Sequence, residues 1–156
     1  MTGADYASGV SVGATEDEIY YTVLGDTRVF HQVLSTGAVD VAFDFGSAGV
    51  ARDPHVVGGR MVAVVGGRVA FGTDPTFGPT QWDSGGLLHV VDLQARTDLT
   101  LDAPGMVRRP QVSPSGSGIV AEVYPVSIVE QLDTLGTLRR FPVVSHNGDL
   151  YLFAHP

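Results

Sequence analysis

Apolar residues occur in short runs along this chain, and glycine, proline or aspartate residues separate one run from the next. The most regular stretch covers residues 39–45, where Val39, Val41, Phe43 and Phe45 alternate with aspartate and alanine. A period of two is typical of a β-strand, so we expect these four side chains to share one face. Such short, punctuated runs favour strands and turns over long helices.

The same criteria predict a series of further strands. Residues 1–17 are predicted as a lead-in that contains a short strand near residues 10–12. The later predicted strands are residues 19–24, 28–34, 54–57, 61–65, 87–93, 99–102, 110–113, 119–123, 126–132, 137–143 and 150–153. Gly66 and Gly67 are interpreted as a bulge, after which residues 69–71 continue the strand, and residues 74–86 are predicted as a loop.

Residues 126–132 and 137–143 are predicted to pair as a β-hairpin. A short helix is the alternative, because Ser127 and Glu130 have the spacing of a capping box. Gly136 would end such a helix early, and this favours the hairpin.

An internal repeat determines the predicted fold class. Three pairs of segments are similar: residues 54–57 and 110–113, residues 61–64 and 119–122, and residues 87–91 and 149–153. The loop of residues 74–86 explains why this unit exceeds the ~40–50 residues of a bare four-stranded unit. The predicted fold class is therefore all-β: an incomplete β-propeller of antiparallel four-stranded blades, at about residues 18–46, 52–103 and 108–156.

The best repeat resembles a known family. The run Val112-Ser113-Pro114-Ser115-Gly116, followed by a strand and then by Asp149-Leu150-Tyr151-Leu152, is similar to the WD40-like repeat of TolB-type propellers. The turn of that family usually reads Ser-Pro-Asp-Gly; Ser115 stands where the aspartate would be, and the turn at Gly58-Gly59 lacks the motif. The resemblance implies a partial propeller of about three blades over residues 19–154, and it implies no catalytic residues.

Three blades are too few for a closed ring, since propellers typically have about 4–8. An unclosed propeller exposes sheet edges and apolar blade faces, which promote association. We therefore expect either a fragment of a larger protein or a self-associating half-propeller, in which a homodimer completes a ring of six blades. In that dimer the strand near residues 10–12 is a candidate for the missing outer strand of a neighbour's last blade.

Composition narrows the possible partners. The chain has 156 residues, a formal net charge of −8, no lysine and no cysteine. An acidic surface argues against nucleic acid and anionic membranes, and the missing cysteine excludes disulfides and thiol nucleophiles. No apolar run approaches the ~18–20 residues of a membrane span, and the N-terminus lacks the pattern of a signal peptide. We expect a soluble protein without membrane insertion, and its compartment stays unassigned.

No metal and no cofactor are predicted. None of the histidines has the spacing of a zinc-binding helix motif. The five histidines are His31, His55, His89, His146 and His155.

Two sets of polar residues resemble catalytic groups. Asp40 and Asp44 lie two strand periods apart and could form a carboxylate pair, although a solvated strand face explains them more simply. Ser113, His146 and Asp149 can be written as a triad, but the Gly-x-Ser-x-Gly pattern of a nucleophile elbow is absent. We therefore predict no catalytic residues and interpret Ser113 as a turn residue.

The candidate binding residues lie in two long insertions, residues 74–86 and 126–148. Both are predicted to connect the second and third strands of a blade, so they should stand on one rim, where binding loops are common. The candidates are Phe77, Trp82, Asp83, Arg139 and Arg140. The alternative is that the aromatic residues pack back onto a blade and that the arginines pair with neighbouring acids.

The sequence as a whole favours a non-catalytic β-propeller module for binding or interaction, whose partner is another protein or a copy of itself. The alternative is a propeller domain that is accessory to a catalytic domain, a serine peptidase or a protein kinase, in a longer chain. The length of the native reading frame distinguishes the two.

Overall fold

The structure is a computed structural model that describes residues 7–66, 69–74, 78–83, 86–132, 138–144 and 149–154. These residues form fourteen β-strands and one short 3-10 helix. In chain order the strands are β1 (Ala7–Val12), β2 (Glu18–Val23), β3 (Arg28–Val33), β4 (Val39–Asp44), β5 (Ala51–Val57), β6 (Arg60–Val65), β7 (Val69–Asp74), β8 (Gly78–Asp83), β9 (Leu87–Asp92), β10 (Thr97–Leu101), β11 (Gly105–Val112), β12 (Gly118–Leu132), β13 (Leu138–Val144) and β14 (Asp149–Ala154). The predicted all-β class is confirmed.

Backbone pairing arranges the strands in three antiparallel sheets of four strands each. The first sheet has the order β1-β2-β3-β4, and the second has the order β5-β6-β9-β10. In the third sheet β12 pairs with β11 and β14 through its first half and with β13 through its second half. Strands β7 and β8 form a separate two-stranded ribbon.

The three sheets are the blades of an incomplete propeller. Blade 1 consists of β1–β4, blade 2 of β5, β6, β9 and β10, and blade 3 of β11, the first half of β12, and β14. Their first strands lie side by side, because β1 contacts β5 and β5 contacts β11. We call the side of a blade that faces the preceding blade its front face, and the side that faces the following blade its back face.

Two apolar clusters fill the space between the blades. Blades 1 and 2 enclose Val29, Phe45, Ala51, Val56, Met61, Ala63, Val65 and Val91. Blades 2 and 3 enclose Val62, Val64, Leu88, Val90, Val107, Val112, Ile119, Ala121 and Val123. Alternate residues of β6 enter the two clusters, so this strand is apolar on both faces, as is typical of a strand between two covered layers.

The alternation predicted for residues 39–45 is wrong in one respect. The register of β3 with β4 shifts by one residue, so Phe43 lies opposite Val29 while Val41 lies opposite Phe30. Neighbouring residues of β3 point to opposite faces, so Val41 and Phe43 also face opposite sides of blade 1. A β-bulge causes this change, and a simple period of two does not reveal it.

The prediction for the segment after β6 also needs correction. Strand β6 ends at Val65, and residues 69–71 belong to β7, which pairs with β8 and does not continue β6. Gly66 has a φ of 72°, a left-handed conformation that suits glycine and turns the chain away from blade 2. Residues 74–86, predicted as a loop, contain strand β8. Gly67 lies outside the described residues.

Strand β1 differs from its predicted role. The sequence predicts residues 1–17 as a lead-in whose strand is a candidate outer strand for a neighbouring copy, whereas in the structure β1 pairs with β2 of its own chain. The first blade therefore begins at Ala7, because β1 is its first strand. Gly9 permits this placement: a Cβ atom at Gly9 would lie 2.9 Å from the backbone nitrogen of Asp53 on β5.

The predicted hairpin after blade 3's second strand is confirmed. The second half of β12 pairs with β13 from Val126 opposite Val144 to Leu132 opposite Leu138. The helical alternative for this segment is therefore wrong, since the two strands bond to each other along their whole length.

Candidate interaction surfaces

The blades repeat residue by residue, and the strand register identifies equivalent positions. In blade 2, His55 lies opposite Val62, which lies opposite Val90. In blade 3, Gln111 lies opposite Val120, which lies opposite Leu152. The equivalent back-face residues of blades 2 and 3 are His55 and Gln111, Val62 and Val120, Leu88 and Leu150, and Val90 and Leu152. This register confirms the three pairs of similar segments found in the sequence.

The back face of blade 2 is covered, whereas that of blade 3 is open. Leu88 and Val90 are 0% and 6% exposed, because blade 3 packs against them. Their equivalents Leu150 and Leu152 are 77% and 76% exposed. Leu150 and Leu152 lie two residues apart on the same face of β14, so their exposure makes an apolar patch on this face.

A hydrogen bond of one kind joins the first strands of neighbouring blades. The backbone N–H of Val56 on β5 donates to Oγ of Ser11 on β1 at 3.1 Å. The backbone N–H of Val112 on β11 donates to Nδ1 of His55 on β5 at 3.1 Å. In both junctions a valine N–H on a front face is bonded by a side chain on the back face of the preceding blade.

Gln111 occupies the acceptor position in blade 3. It is exposed, and its amide oxygen can accept a hydrogen bond as the hydroxyl of Ser11 and the ring of His55 do. Burial lowers the pKa of His55, which favours the neutral ring whose Nδ1 carries a free lone pair. Blade 3 therefore also has a side chain that can accept a hydrogen bond at this position.

The front face of blade 1 is the second open face. Val10 and Val12 are 60% and 59% exposed, whereas Val56, the equivalent of Val12 in blade 2, is 6% exposed. Tyr21 and Phe30 stack beside them with ring centroids 5.5 Å apart. The three-bladed unit thus ends in an apolar face on both sides.

The Ser-Pro-Ser-Gly turn of blade 3 is structural. Oγ of Ser113 accepts a hydrogen bond from the first backbone N–H of β12 at 3.1 Å, which confirms its interpretation as a turn residue. Nη1 of Arg60 in blade 2 donates to the carbonyl oxygen of Gly116 at 2.8 Å and ties the turn to its neighbour. Asp149 lies about 16 Å from this turn along β12, at ~3.3 Å per residue, so it forms no site with Ser113. His146 lies outside the described residues.

Asp40 and Asp44 do not form a carboxylate pair. Asp40 lies opposite His31, with its Oδ1 2.9 Å from Nδ1, while Asp44 lies opposite Arg28 on the other face of blade 1. The backbone N–H of Gly46 donates to Asp44 at 2.8 Å, and this bond is the main reason why the pKa of Asp44 is lowered. Asp40 thus links β4 to β3 through His31, and Asp44 bonds the backbone just after the end of β4.

A second histidine–aspartate pair lies in blade 2. Nδ1 of the buried His89 is 2.9 Å from Oδ2 of Asp98, and the pair joins β9 to β10. Across the described ranges, no three histidine, aspartate or glutamate side chains cluster closely enough to hold a metal ion. No helix in the described part of the chain is long and apolar enough to cross a membrane.

The rim insertions are two β-hairpins, and both lie between the second and third strands of a blade, as predicted. The β7–β8 hairpin follows β6, and the β12–β13 hairpin extends β12 before β14 returns to blade 3. Trp82 and Asp83 end strand β8, and Arg139 and Arg140 lie on β13, opposite the second half of β12. Phe77 lies outside the described residues. The candidate residues therefore divide between two separate hairpins.

Comparison with known proteins agrees with this architecture. No protein-family model matches the sequence, and no curated protein is significantly similar to it. Among solved structures, TolB from Acinetobacter baumannii is similar at 16% identity and a TM-score of 0.56, over 96% of this chain and 32% of TolB. A chain of the nidogen/laminin complex is similar at 11% identity and a TM-score of 0.55, over 93% of this chain and 51% of that one. The fold is that of a partial TolB-like β-propeller.

The extent of these similarities explains the open faces. The chain spans about a third of TolB and about half of the nidogen/laminin complex chain. TolB is a six-bladed propeller, so the three blades of this partial TolB-like propeller correspond to half of such a ring. Its two end faces are therefore the places where a complete ring would continue.

The two insertions of this TolB-like unit are visible in the sequence as interruptions of the repeat, whereas the exposure of the open faces is not. The repeat aligns Gln111, Leu150 and Leu152 with their blade 2 equivalents, but the alignment alone does not show that they are exposed. The available signal was the repeat itself: Gln111 aligns with His55, and Leu152 aligns with Val90. The exposure of these positions depends on what packs against blade 3, and among the described residues no further blade does so.

Proposed function

We propose that this chain is a non-catalytic interaction module, a half-propeller whose end faces bind copies of itself. The exposure of Leu150 and Leu152, compared with the buried Leu88 and Val90, carries the proposal. Covering each exposed leucine would contribute about 1.5–3 kcal/mol to association. The acceptor Gln111 and the apolar front face of blade 1 add to this support.

The mass in solution tests the proposal. We expect light scattering to give twice the 16.4 kDa of one chain at micromolar concentration. Leu152→Asp places a charge in the open face and should reduce the mass to that of one chain. The matched control is Leu24→Asp, because Leu24 is also highly exposed but lies in the turn between β2 and β3. A single-chain mass for the unaltered protein at every concentration would contradict self-association.

We propose the rim as the surface that binds other proteins. Support comes from the position of the β7–β8 and β12–β13 hairpins, which both interrupt a blade at the same connection. The candidate residues Phe77, Trp82, Asp83, Arg139 and Arg140 belong to the two insertions. Loops and hairpins inserted into a rigid scaffold are where binding residues concentrate.

Removing a hairpin tests whether the rim is separate from the scaffold. A short Asn-Gly connection between Gly66 and Gly86 would replace the β7–β8 hairpin, since Val65 already lies opposite Leu87 in blade 2. We expect the shortened chain to keep its β-sheet circular dichroism and its mass in solution. Loss of the folded state would show that the hairpin supports the blade, and the rim proposal would then fail.

A further inference from the structure

We propose that two copies of this chain join head to tail. The back face of blade 3 in each copy receives the front face of blade 1 in the other, and the side-chain oxygen of Gln111 accepts a hydrogen bond from the backbone N–H of Val12. This inference rests on the proposed self-association and specifies its polarity and its central hydrogen bond.

Both junctions within the chain have the same polarity. A back face always meets a front face, and the hydrogen bond always runs from a valine N–H on the front to a side-chain acceptor on the back. Two back faces in contact would leave both Val12 N–H groups outside the interface, so neither would be bonded as the valine N–H groups of the observed junctions are. A head-to-tail junction repeats the arrangement of the two observed junctions.

Val12 is the matching donor position. It occupies in β1 the place of Val56 in β5 and of Val112 in β11, one residue after the acceptor of its own blade. Strand β1 lies at the edge of blade 1, and Val12 is exposed, so a second copy can reach it. The same holds for the acceptor, because Gln111 lies on the edge strand β11.

The side chains around both positions are suited to burial. Val120 and Leu152 flank Gln111 across the open sheet of blade 3, as Val62 and Val90 flank His55 in blade 2. Leu150 lies in the next row, opposite Glu122, whose carboxylate accepts hydrogen bonds from Arg109 and Tyr124. On the opposite end, Val10 and the stacked rings of blade 1 supply the apolar surface that would cover them.

The ring closes with two copies. The chain covers three blades and is similar to a six-bladed propeller over 96% of its length, so its curvature suits a ring of six. Two head-to-tail junctions then leave no open face, whereas a heterologous contact that fails to close would produce filaments.

Mixing two blocked variants tests the polarity. Val12→Asp blocks every front face of blade 1, and Leu152→Asp blocks every back face of blade 3. In a head-to-tail assembly each variant alone has the mass of one chain, while an equimolar mixture contains one intact pair of faces and forms a heterodimer. If the unaltered protein is a monomer, the proposed function itself fails. If it is a dimer and either variant alone remains dimeric, self-association stands and the head-to-tail arrangement is overturned.

Substitutions at Gln111 test the hydrogen bond. Gln111→Leu removes the acceptor and should raise the dissociation constant of the dimer about tenfold, whereas Gln111→Glu keeps an oxygen acceptor and should dissociate less. Sedimentation equilibrium measures both constants, and circular dichroism verifies that each variant is folded. Equal dissociation constants for Gln111→Leu and the unaltered protein would exclude the bond.

Discussion

The back faces of blades 2 and 3 carry similar apolar side chains in different surroundings. Val62 of blade 2 is fully buried, while its equivalent Val120 in blade 3 is 42% exposed. The two valines lie on the second strand of their own blade, each opposite the equivalent residue of the first strand. The difference therefore comes from the neighbouring blade: blade 3 covers the back face of blade 2, and no described blade covers the back face of blade 3. In a propeller, burial of a face depends on the neighbouring blade.

The two back faces differ in polarity at one position, which is charged in blade 3 and apolar in blade 2. Glu122 of blade 3 lies opposite Leu150, where blade 2 has Val64 opposite Leu88. Its carboxylate accepts hydrogen bonds from Nη1 of Arg109 at 3.2 Å and from the hydroxyl of Tyr124 at 2.9 Å. The back face of blade 3 thus combines an apolar row, Val120 and Leu152, with a row in which the charged Glu122 lies opposite Leu150.

The strongest test of the comparison is truncation of equivalent leucines. Leu88→Ala should lower the free energy of unfolding by about 2–5 kcal/mol, because it leaves a cavity between blades 2 and 3. Leu150→Ala should change it by less than about 0.5 kcal/mol in the dissociated chain, because that side chain is in water. Urea denaturation at nanomolar concentration measures both. Equal losses would mean that the open face of blade 3 is covered within a single chain.

Glycine substitutions sharpen the comparison at the backbone. Gly9→Ala should cost about 1–3 kcal/mol, because its Cβ atom would lie 2.9 Å from the nitrogen of Asp53 and 3.0 Å from Cδ of Pro54. Gly118→Ala on the open face is the matched control, since its Cβ atom would come no closer than 3.7 Å to Leu152. Thermal unfolding compares the two. A stable Gly9→Ala chain would contradict the close contact of β1 with β5.

The junction of blades 2 and 3 should also depend on pH. Because burial lowers the pKa of His55 in the folded state, the unfolded chain binds a proton first as the pH falls through about 6.5. The contribution of His55 to stability is therefore full above that pH and is lost as the pH falls through the folded pKa. Protonation also removes the lone pair that accepts the N–H of Val112.

His55→Gln places the acceptor of blade 3 in blade 2 and separates this effect from other titrations. We expect the variant to lose less stability than the unaltered chain between about pH 7 and pH 5, by at most about 1.4 kcal/mol per unit of pKa shift. Denaturant titrations of both proteins across this range measure the difference. Parallel pH profiles would show that His55 is not the acceptor in this junction.

Much of the fold could be predicted from sequence because strands and repeats have local signals. The similarity of residues 54–57 to residues 110–113 placed two first strands correctly. The β-bulges in these strands had no such signal: Asp53 and Arg109 both adopt a φ of 46°, although neither residue type favours a left-handed backbone as glycine does. The two residues lie where neighbouring first strands meet, since the backbone N–H of Arg109 donates to Oδ2 of Asp53 at 3.4 Å, and contact between strands is not visible in a local pattern.

The candidate site was less predictable for a related reason. The apolar character of Leu150 and Leu152 is plain in the sequence, and in most strands it indicates burial. Their exposure follows only from the count of blades after β14 among the described residues, which is a property of the whole array. Trp82 and Arg139 are candidates for a different reason, because they lie in insertions that interrupt the repeat. An insertion predicts where a rim lies, but it does not identify what binds there.

The smallest expected effect concerns the ion pair of Arg109 and Glu122 on blade 3. The side chain of Arg109 is 71% exposed, and its ion pair with Glu122 spans 3.2 Å, so water screens most of the attraction. Arg109→Ala should therefore leave the free energy of unfolding of the dissociated chain nearly unchanged. In the proposed dimer a second copy would exclude water from the same pair. The loss should then be larger, because the attraction between two charges increases when water is excluded. Denaturation of Arg109→Ala at nanomolar and at high micromolar concentration measures this contrast, and an equal effect at both concentrations would place the pair outside the interface.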